Sequence, residues 1–160
     1  MLFRSFGKAI ANGYPLGAIG GKAEIMNLFY HPDPKQRVMI AGTYNGHPLI
    51  MAAAISTMQK LRLQEREVYG HLESLGAKME SGLTKIFAKR GITATIARQG
   101  SAFCAYFMDH APTCWHDIAQ NHSMEFDLRY RRALIERGIY HFPLPTKQGS
   151  ISFAHTEADI

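Results

Sequence analysis

Apolar residues recur at steps of three and four from Val68 through Leu72, Leu75, Met79, Leu83, Ile86 and Phe87. This spacing lines one face of a helix and predicts such a helix over residues 64–90, stopped by Gly91. The stretch before it, Leu49 to about Leu63, is alanine-rich and apolar on most faces, which predicts a buried helix. Pro48 suits the first turn of that helix, where a missing N–H costs nothing. The change from an all-apolar to an amphipathic helix, across residues 62–67, is the expected domain boundary. It divides the chain into residues 1–63 and residues 64–160.

The remaining pattern is shorter-ranged. Residues 2–6 and 16–19 read as short strands and residues 22–30 as a short helix, ended by His31-Pro32-Asp33-Pro34. Residues 38–41 form a brief apolar run. Beyond Gly91, residues 93–97 and 103–108 are β-branched or aromatic and flank Gln99-Gly100-Ser101, which predicts two strands and a turn. A polar loop over 109–122, with a helical turn near Trp115, precedes a helix over 124–137. That helix carries Phe126, Tyr130, Ala133 and Leu134 on one face and stops at Gly138. Residues 140–142 and 150–153 are expected strands. Thr156-Glu157-Ala158-Asp159 has the form of a helix N-cap and an acidic first turn. Together with a strand starting at residue 2, it suggests a piece of a longer protein, lacking the last helix. Strands and helices thus both occur along the chain.

Composition narrows the partners. The 160 residues are 46% hydrophobic and 19% charged, which is globular and not disordered. The net charge of +5 is spread over groups such as Lys60/Arg62, Lys89/Arg90 and Arg129/Arg131/Arg132. These interrupted groups read as solvated surface, so no nucleic acid or membrane partner is expected. Two cysteines, Cys104 and Cys114, fit neither a disulfide framework nor a zinc spacing. The eight histidines lack a paired spacing, so no metal is expected and they read as surface or satisfied polar residues. Reduced thiols and the lack of a signal-like apolar run at the N-terminus point to the cytoplasm.

Candidate chemistry lies in the first fifty residues. Lys8 sits in a run dense in glycine, Phe6-Gly7-Lys8-Ala9-Ile10 followed by Gly13-Tyr14-Pro15-Leu16-Gly17-Ala18-Ile19-Gly20-Gly21. A lysine in a dry site can be neutral enough to condense with an aldehyde. In the turn Ala41-Gly42-Thr43-Tyr44-Asn45-Gly46-His47-Pro48, the Gly42 and Thr43 N–H groups and the Thr43 hydroxyl can donate to a phosphate near a helix start.

These segments, in this order, with the tail Ser150-Ile151-Ser152-Phe153-Ala154-His155-Thr156-Glu157-Ala158-Asp159-Ile160, resemble class III pyridoxal-phosphate aminotransferases. Within them the chain is most similar to the glutamate-1-semialdehyde 2,1-aminomutase branch. The resemblance implies the C-terminal part of a fold-type I pyridoxal-phosphate-dependent transferase. The implied fold class is α/β: residues 1–63 would end the large α/β cofactor domain, and residues 64–160 would be the small α+β C-terminal domain, lacking its last helix.

By that resemblance Lys8 is the lysine of the internal aldimine with pyridoxal 5'-phosphate, and it moves the proton between substrate carbon and cofactor C4′. Thr43, with Gly42 beside it, matches the residue that bonds the cofactor phosphate, in the neighbouring subunit's site. A homodimer acting on a small amino acid or amino aldehyde is implied. The family's phosphate loop, ring-stacking aromatic and pyridine-pairing aspartate precede the lysine and are not in this chain. Lys147 stands where the aminomutase has glutamate, so mutase and aminotransferase both stay open. The alternative is a truncated, inactive piece of such an enzyme, acting at most as a folding or dimerisation remnant.

Overall fold

The first strand, β1 (Phe3–Phe6), turns through a 3-10 helix (Lys8–Ala11) into β2 (Ala18–Gly21). The two strands pair antiparallel, from Phe3 opposite Gly21 to Phe6 opposite Ala18. The turn between them depends on backbone that few residues adopt: Lys8, Asn12 and Gly13 all have positive φ. Asn12 tolerates this better than most side chains, and Gly13 has no Cβ to clash. The computed structural model describes residues 3–160, so Leu2, the first residue of the expected strand, lies outside the described residues. The chain forms two compact units, divided between Glu65 and Arg66.

In the first unit, helix α1 (Ala23–Met26) tightens into a 3-10 turn (Asn27–Tyr30). The chain then reaches α2 (Pro48–Leu63), which starts with proline in its first turn as expected. The 3-10 helix after β1 packs on α2, with Ala11, Ile50 and Ala54 buried. The expectation that α2 is a buried helix is not met. Leu49, Met51, Ile55 and Met58 are 54%, 40%, 54% and 53% exposed. One side of α2 lies on the 3-10 turn, and its other apolar faces have no covering layer among the described residues. Residues 38–41 form no strand.

The second unit is built on α3 (Glu65–Lys89) and a three-stranded antiparallel sheet ordered β3 (Thr95–Gln99), β4 (Ala102–Tyr106), β5 (Gly149–Ser150). The turn between β3 and β4 uses Gly100 at φ +59. The stripe on α3 buries Leu75 against Phe103 and Ile151, with Met79 and Leu83 packed beside them. Further along, Phe87 meets Ala105 and Phe107. Helix α4 (Trp115–Asn121) and helix α5 (Met124–Ile135) follow β4. Phe126 and Tyr130 of α5 reach Phe107 edge-on, with ring centroids 4.7 Å and 5.4 Å away.

Two expected strands are corrected. Residues 140–142 are not a strand, because the Phe142 carbonyl is taken up by the Leu144 N–H at 2.8 Å and by Arg131. The run over 150–153 pairs at Ser150, next to Gly149, and its last bond toward β4 is the Ile151 N–H on the Ser101 carbonyl at 3.0 Å. The chain then folds into a turn closed by the His155 N–H on the Ser152 carbonyl. The helix start read at Thr156 is not formed among the described residues: the Thr156 hydroxyl donates instead of accepting, the Asp159 carboxylate taking both it and the Thr156 N–H at 2.7 Å, and the Asp159 N–H closes a turn on the Thr156 carbonyl.

Candidate active site

All three residues expected to meet a cofactor lie in the first unit. Lys8 opens the 3-10 helix directly after β1, and its φ is +56. A side chain with a Cβ is strained by roughly 1–2 kcal/mol in this left-handed region. Gly7 before it is extended, and Ala11 behind it is fully buried. The backbone therefore holds the base of Lys8 tightly, while its side chain is exposed. The dry surroundings expected for this lysine are not provided by the residues of its own unit.

Gly42 and Thr43 stand in a turn ahead of α2. The Asn45 N–H closes on the Gly42 carbonyl at 3.0 Å and the His47 N–H on the Tyr44 carbonyl at 3.1 Å. A Cβ on Gly42 would approach the Asn45 side-chain oxygen to 3.0 Å. The α2 N-cap is His47, so Gly42 and Thr43 precede the helix by one turn and are not themselves its terminus. Both are exposed. Among the described residues no hydrogen bond engages the Thr43 hydroxyl. An amine on a strained turn and a free hydroxyl beside a glycine are donors that fit an aldehyde and a phosphate.

In the second unit, the Lys147 ammonium lies 5.7 Å over the Phe142 ring. The loop carrying both is held from beneath by a buried network that the sequence reading missed. Asp127 and Arg131, one turn apart on α5, are buried, so Arg131 is not part of a solvated basic group. Arg131 Nε donates to Asp127 Oδ1 at 2.6 Å. Its Nη1 donates to the Lys147 carbonyl and to His141 Nδ1, both at 2.8 Å. The Thr146 N–H donates to Asp127 Oδ2 at 2.7 Å, which holds Thr146 at φ +60.

His122 is buried as well, against the surface reading of the histidines. Its Nδ1 accepts the Phe107 N–H at 3.0 Å, so Nε2 carries the proton and donates to Asp127 Oδ2 at 3.1 Å. Burial, and then the Arg131 charge, lower the pKa of His141. Burial raises that of the Cys104 thiol, which lies under the Thr146 carbonyl. The only signal in the sequence was a charged pair four residues apart among apolar ones, and exposed helices carry the same spacing.

Elsewhere, His110 bridges Asp109 at 2.6 Å and Asp117 at 2.9 Å on the surface beside α4. These bonds lower both carboxylate pKa values and raise that of His110. Among the described residues no group of His, Cys, Asp and Glu could hold a metal, and no helix is long and apolar enough to cross a membrane.

Residues 3–140 match the family model described as aminotransferase class-III. A glutamate-1-semialdehyde 2,1-aminomutase of Akkermansia muciniphila is 38% identical over 154 residues, covering 96% of this chain and 35% of that protein. The chain thus spans about a third of the length of the curated relatives it matches. An omega-transaminase structure from Sphaerobacter thermophilus superposes with a TM-score of 0.80 at 28% identity, covering 98% of this chain and 35% of its own. A structure described as a transaminase with PLP bound superposes with a TM-score of 0.75 at 25% identity, covering 98% and 34%.

Proposed function

Since the chain belongs to the class III aminotransferase family, we propose that it carries the cofactor-bonding amine, Lys8, and part of the phosphate cradle, Gly42 and Thr43, of a pyridoxal-phosphate-dependent aminotransferase or aminomutase. The observation that carries this reading is the backbone of Lys8. A lysine kept at φ +56, on a turn fixed by a buried alanine, is strain retained at a position that function explains.

When bound, pyridoxal phosphate supplies an aldehyde carbon that amines attack and a conjugated ring that takes up electrons from a substrate carbon. The residues of this chain do the rest of what is proposed. Lys8 Nζ would hold the cofactor by its aldehyde carbon and would move a proton between the substrate carbon and C4′. The Gly42 and Thr43 N–H groups and the Thr43 hydroxyl would hold the phosphate in the site of a second subunit, which makes the proposed working form a homodimer. The substrate is a small amino acid or amino aldehyde. Lys147, in place of the glutamate of the aminomutase branch, supports transfer between a separate amino donor and acceptor. A cytoplasmic setting agrees with two free cysteines.

The test is a visible spectrum of the chain with pyridoxal phosphate. An absorption band that disappears in Lys8→Ala is expected. A band unchanged by that substitution would remove Lys8 from the role.

A further inference from the structure

Residues 140–148 cross the second unit without helix or strand. Their large side chains do little to hold them, since Tyr140, Phe142 and Leu144 are 78%, 48% and 54% exposed. The strap is fastened instead by polar bonds to α5 and β4. Arg131 Nη1 reaches His141 Nδ1 at 2.8 Å, the Phe142 carbonyl at 3.2 Å and the Lys147 carbonyl at 2.8 Å. The Thr146 N–H is bonded to Asp127, and the Cys104 thiol to the Thr146 carbonyl at 3.5 Å. Thr146, β-branched at φ +60, stores strain that release of the strap would relieve.

One of these bonds depends on a proton. A guanidinium has no acceptor, so His141 Nδ1 must be bare to take the Arg131 N–H. An imidazolium there would set N–H against N–H and charge against charge, 2.8 Å apart. His141 is half-buried and borders a cavity of about 320 Å³, so water can reach it. The other groups around it do not offset Arg131. Asp127 favours the proton, but its oxygens are taken by Arg131, His122 and Thr146. The β4 and β5 strands present uncharged Phe103 and Gly149, and α3 presents Met79. The Lys147 ammonium lies over Phe142. Tyr140, His155 and Asp159 also line the cavity, with His155 Nδ1 held by Ser152 and the Asp159 carboxylate by Thr156.

We propose that this strap is a proton-operated latch. When His141 takes up a proton on mild acidification, its bond to Arg131 breaks and residues 140–148 open locally, uncovering Cys104 while α3 and the sheet stay folded. The burial and the Arg131 charge that hold the His141 pKa below 6.5 are the closed latch resisting that proton. The strap carries Lys147, so in the enzyme proposed above, and only on that reading, the latch regulates the residue standing in place of the aminomutase glutamate.

The experiment uses the full chain with Cys114→Ser, which leaves Cys104 as its one thiol. Dithiodipyridine, which reacts with thiols in acid, labels Cys104, and each rate is divided by that of the urea-unfolded chain at the same pH. Between pH 7.5 and 5 this ratio should rise about 5- to 30-fold, the ceiling being set by an open His141 at its ordinary 6.5 and a closed one that refuses the proton. His141→Gln, whose amide oxygen accepts from Arg131 at any pH, should keep the ratio within twofold. With His141 in place, normalised amide exchange should show Thr146 losing protection over the same range while Leu75 and Phe87 keep theirs. An equal rise in His141→Gln would pass the proton to another group, such as His122, and overturn the latch. So would a flat ratio with His141 present, or Thr146, Leu75 and Phe87 losing protection together, which is global unfolding. Neither readout involves Lys8 or a cofactor, so the cofactor reading stands or fails separately on its spectrum.

Discussion

Arg131 Nε lies 2.6 Å from Asp127 Oδ1, and the two residues are 1% and 0% exposed. An ion pair this dry gains little over apolar side chains of the same size, but removing one member strands the other charge. Asp127→Leu or Arg131→Met alone should each destabilise the second unit by about 3–5 kcal/mol. The double variant should recover part of that loss, with the Thr146 N–H and His122 still lacking their acceptor. Urea unfolding followed by Trp115 fluorescence measures this. Losses that simply add would show that the two charges do not depend on each other.

The same network sets a pH dependence. His141 is a base whose folded pKa lies below its ordinary 6.5, because burial and then Arg131 disfavour its protonated form. As pH falls through 6.5 the unfolded chain takes up a proton that the folded chain refuses. Stability from this group is therefore intact above 6.5 and is lost as pH falls from there toward the folded value. His110 acts in the opposite direction, since its folded pKa is raised, but it is exposed and its effect is screened. His141→Gln keeps an acceptor for Arg131 and removes the titration. The difference in unfolding free energy between wild type and His141→Gln should change between pH 7.5 and 5, and a flat difference would contradict the assignment.

Gly76 on α3 separates helix propensity from packing. Substituting alanine for glycine within a helix ordinarily gains about 1 kcal/mol. A Cβ at Gly76, however, would collide with the Gly100 carbonyl, which is backbone and cannot swing away. Gly76→Ala should lose about 1–3 kcal/mol. Gly70 and Gly82, with open space around them, should gain up to about 1 kcal/mol as alanine. Thermal melts of the three single variants decide it, and a stabilising Gly76→Ala would be inconsistent with this packing.

Strain at Lys8 predicts an order between two variants that both lack the amine. Lys8→Gly relieves the left-handed backbone and Lys8→Ala does not, so the glycine variant should be more stable by about 1 kcal/mol. Equal midpoints in urea would mean that the turn is not strained.

The long elements were legible because their signal is periodic. The stripe on α3, buried or half-buried at every expected position except Ile86, which is 56% exposed, and the proline that opens α2 required nothing from elsewhere in the chain. The placement of residues 140–153 was not legible, because it is decided by Arg131 and Asp127, which reach those backbone groups from a helix near in space only after folding. The exposure of α2 was misread for a related reason. Apolar composition says that a face is meant to be covered, but it does not say that the covering layer is in the same stretch of chain. Lys8, Gly42 and Thr43 could be picked out as candidates because glycine-rich turns are local. The strain at Lys8 and the exposure of its amine could be read only from the structure.

The most direct test of the central claim is to locate the bond to the cofactor. The chain is equilibrated with pyridoxal phosphate, the C=N bond is reduced with borohydride, and the modified lysine is mapped by peptide mass spectrometry. The account predicts that the label falls predominantly on Lys8 and declines there in Thr43→Ala. A label spread evenly over surface lysines such as Lys22, Lys35 and Lys60, with Lys8 no more modified than they are, would contradict it.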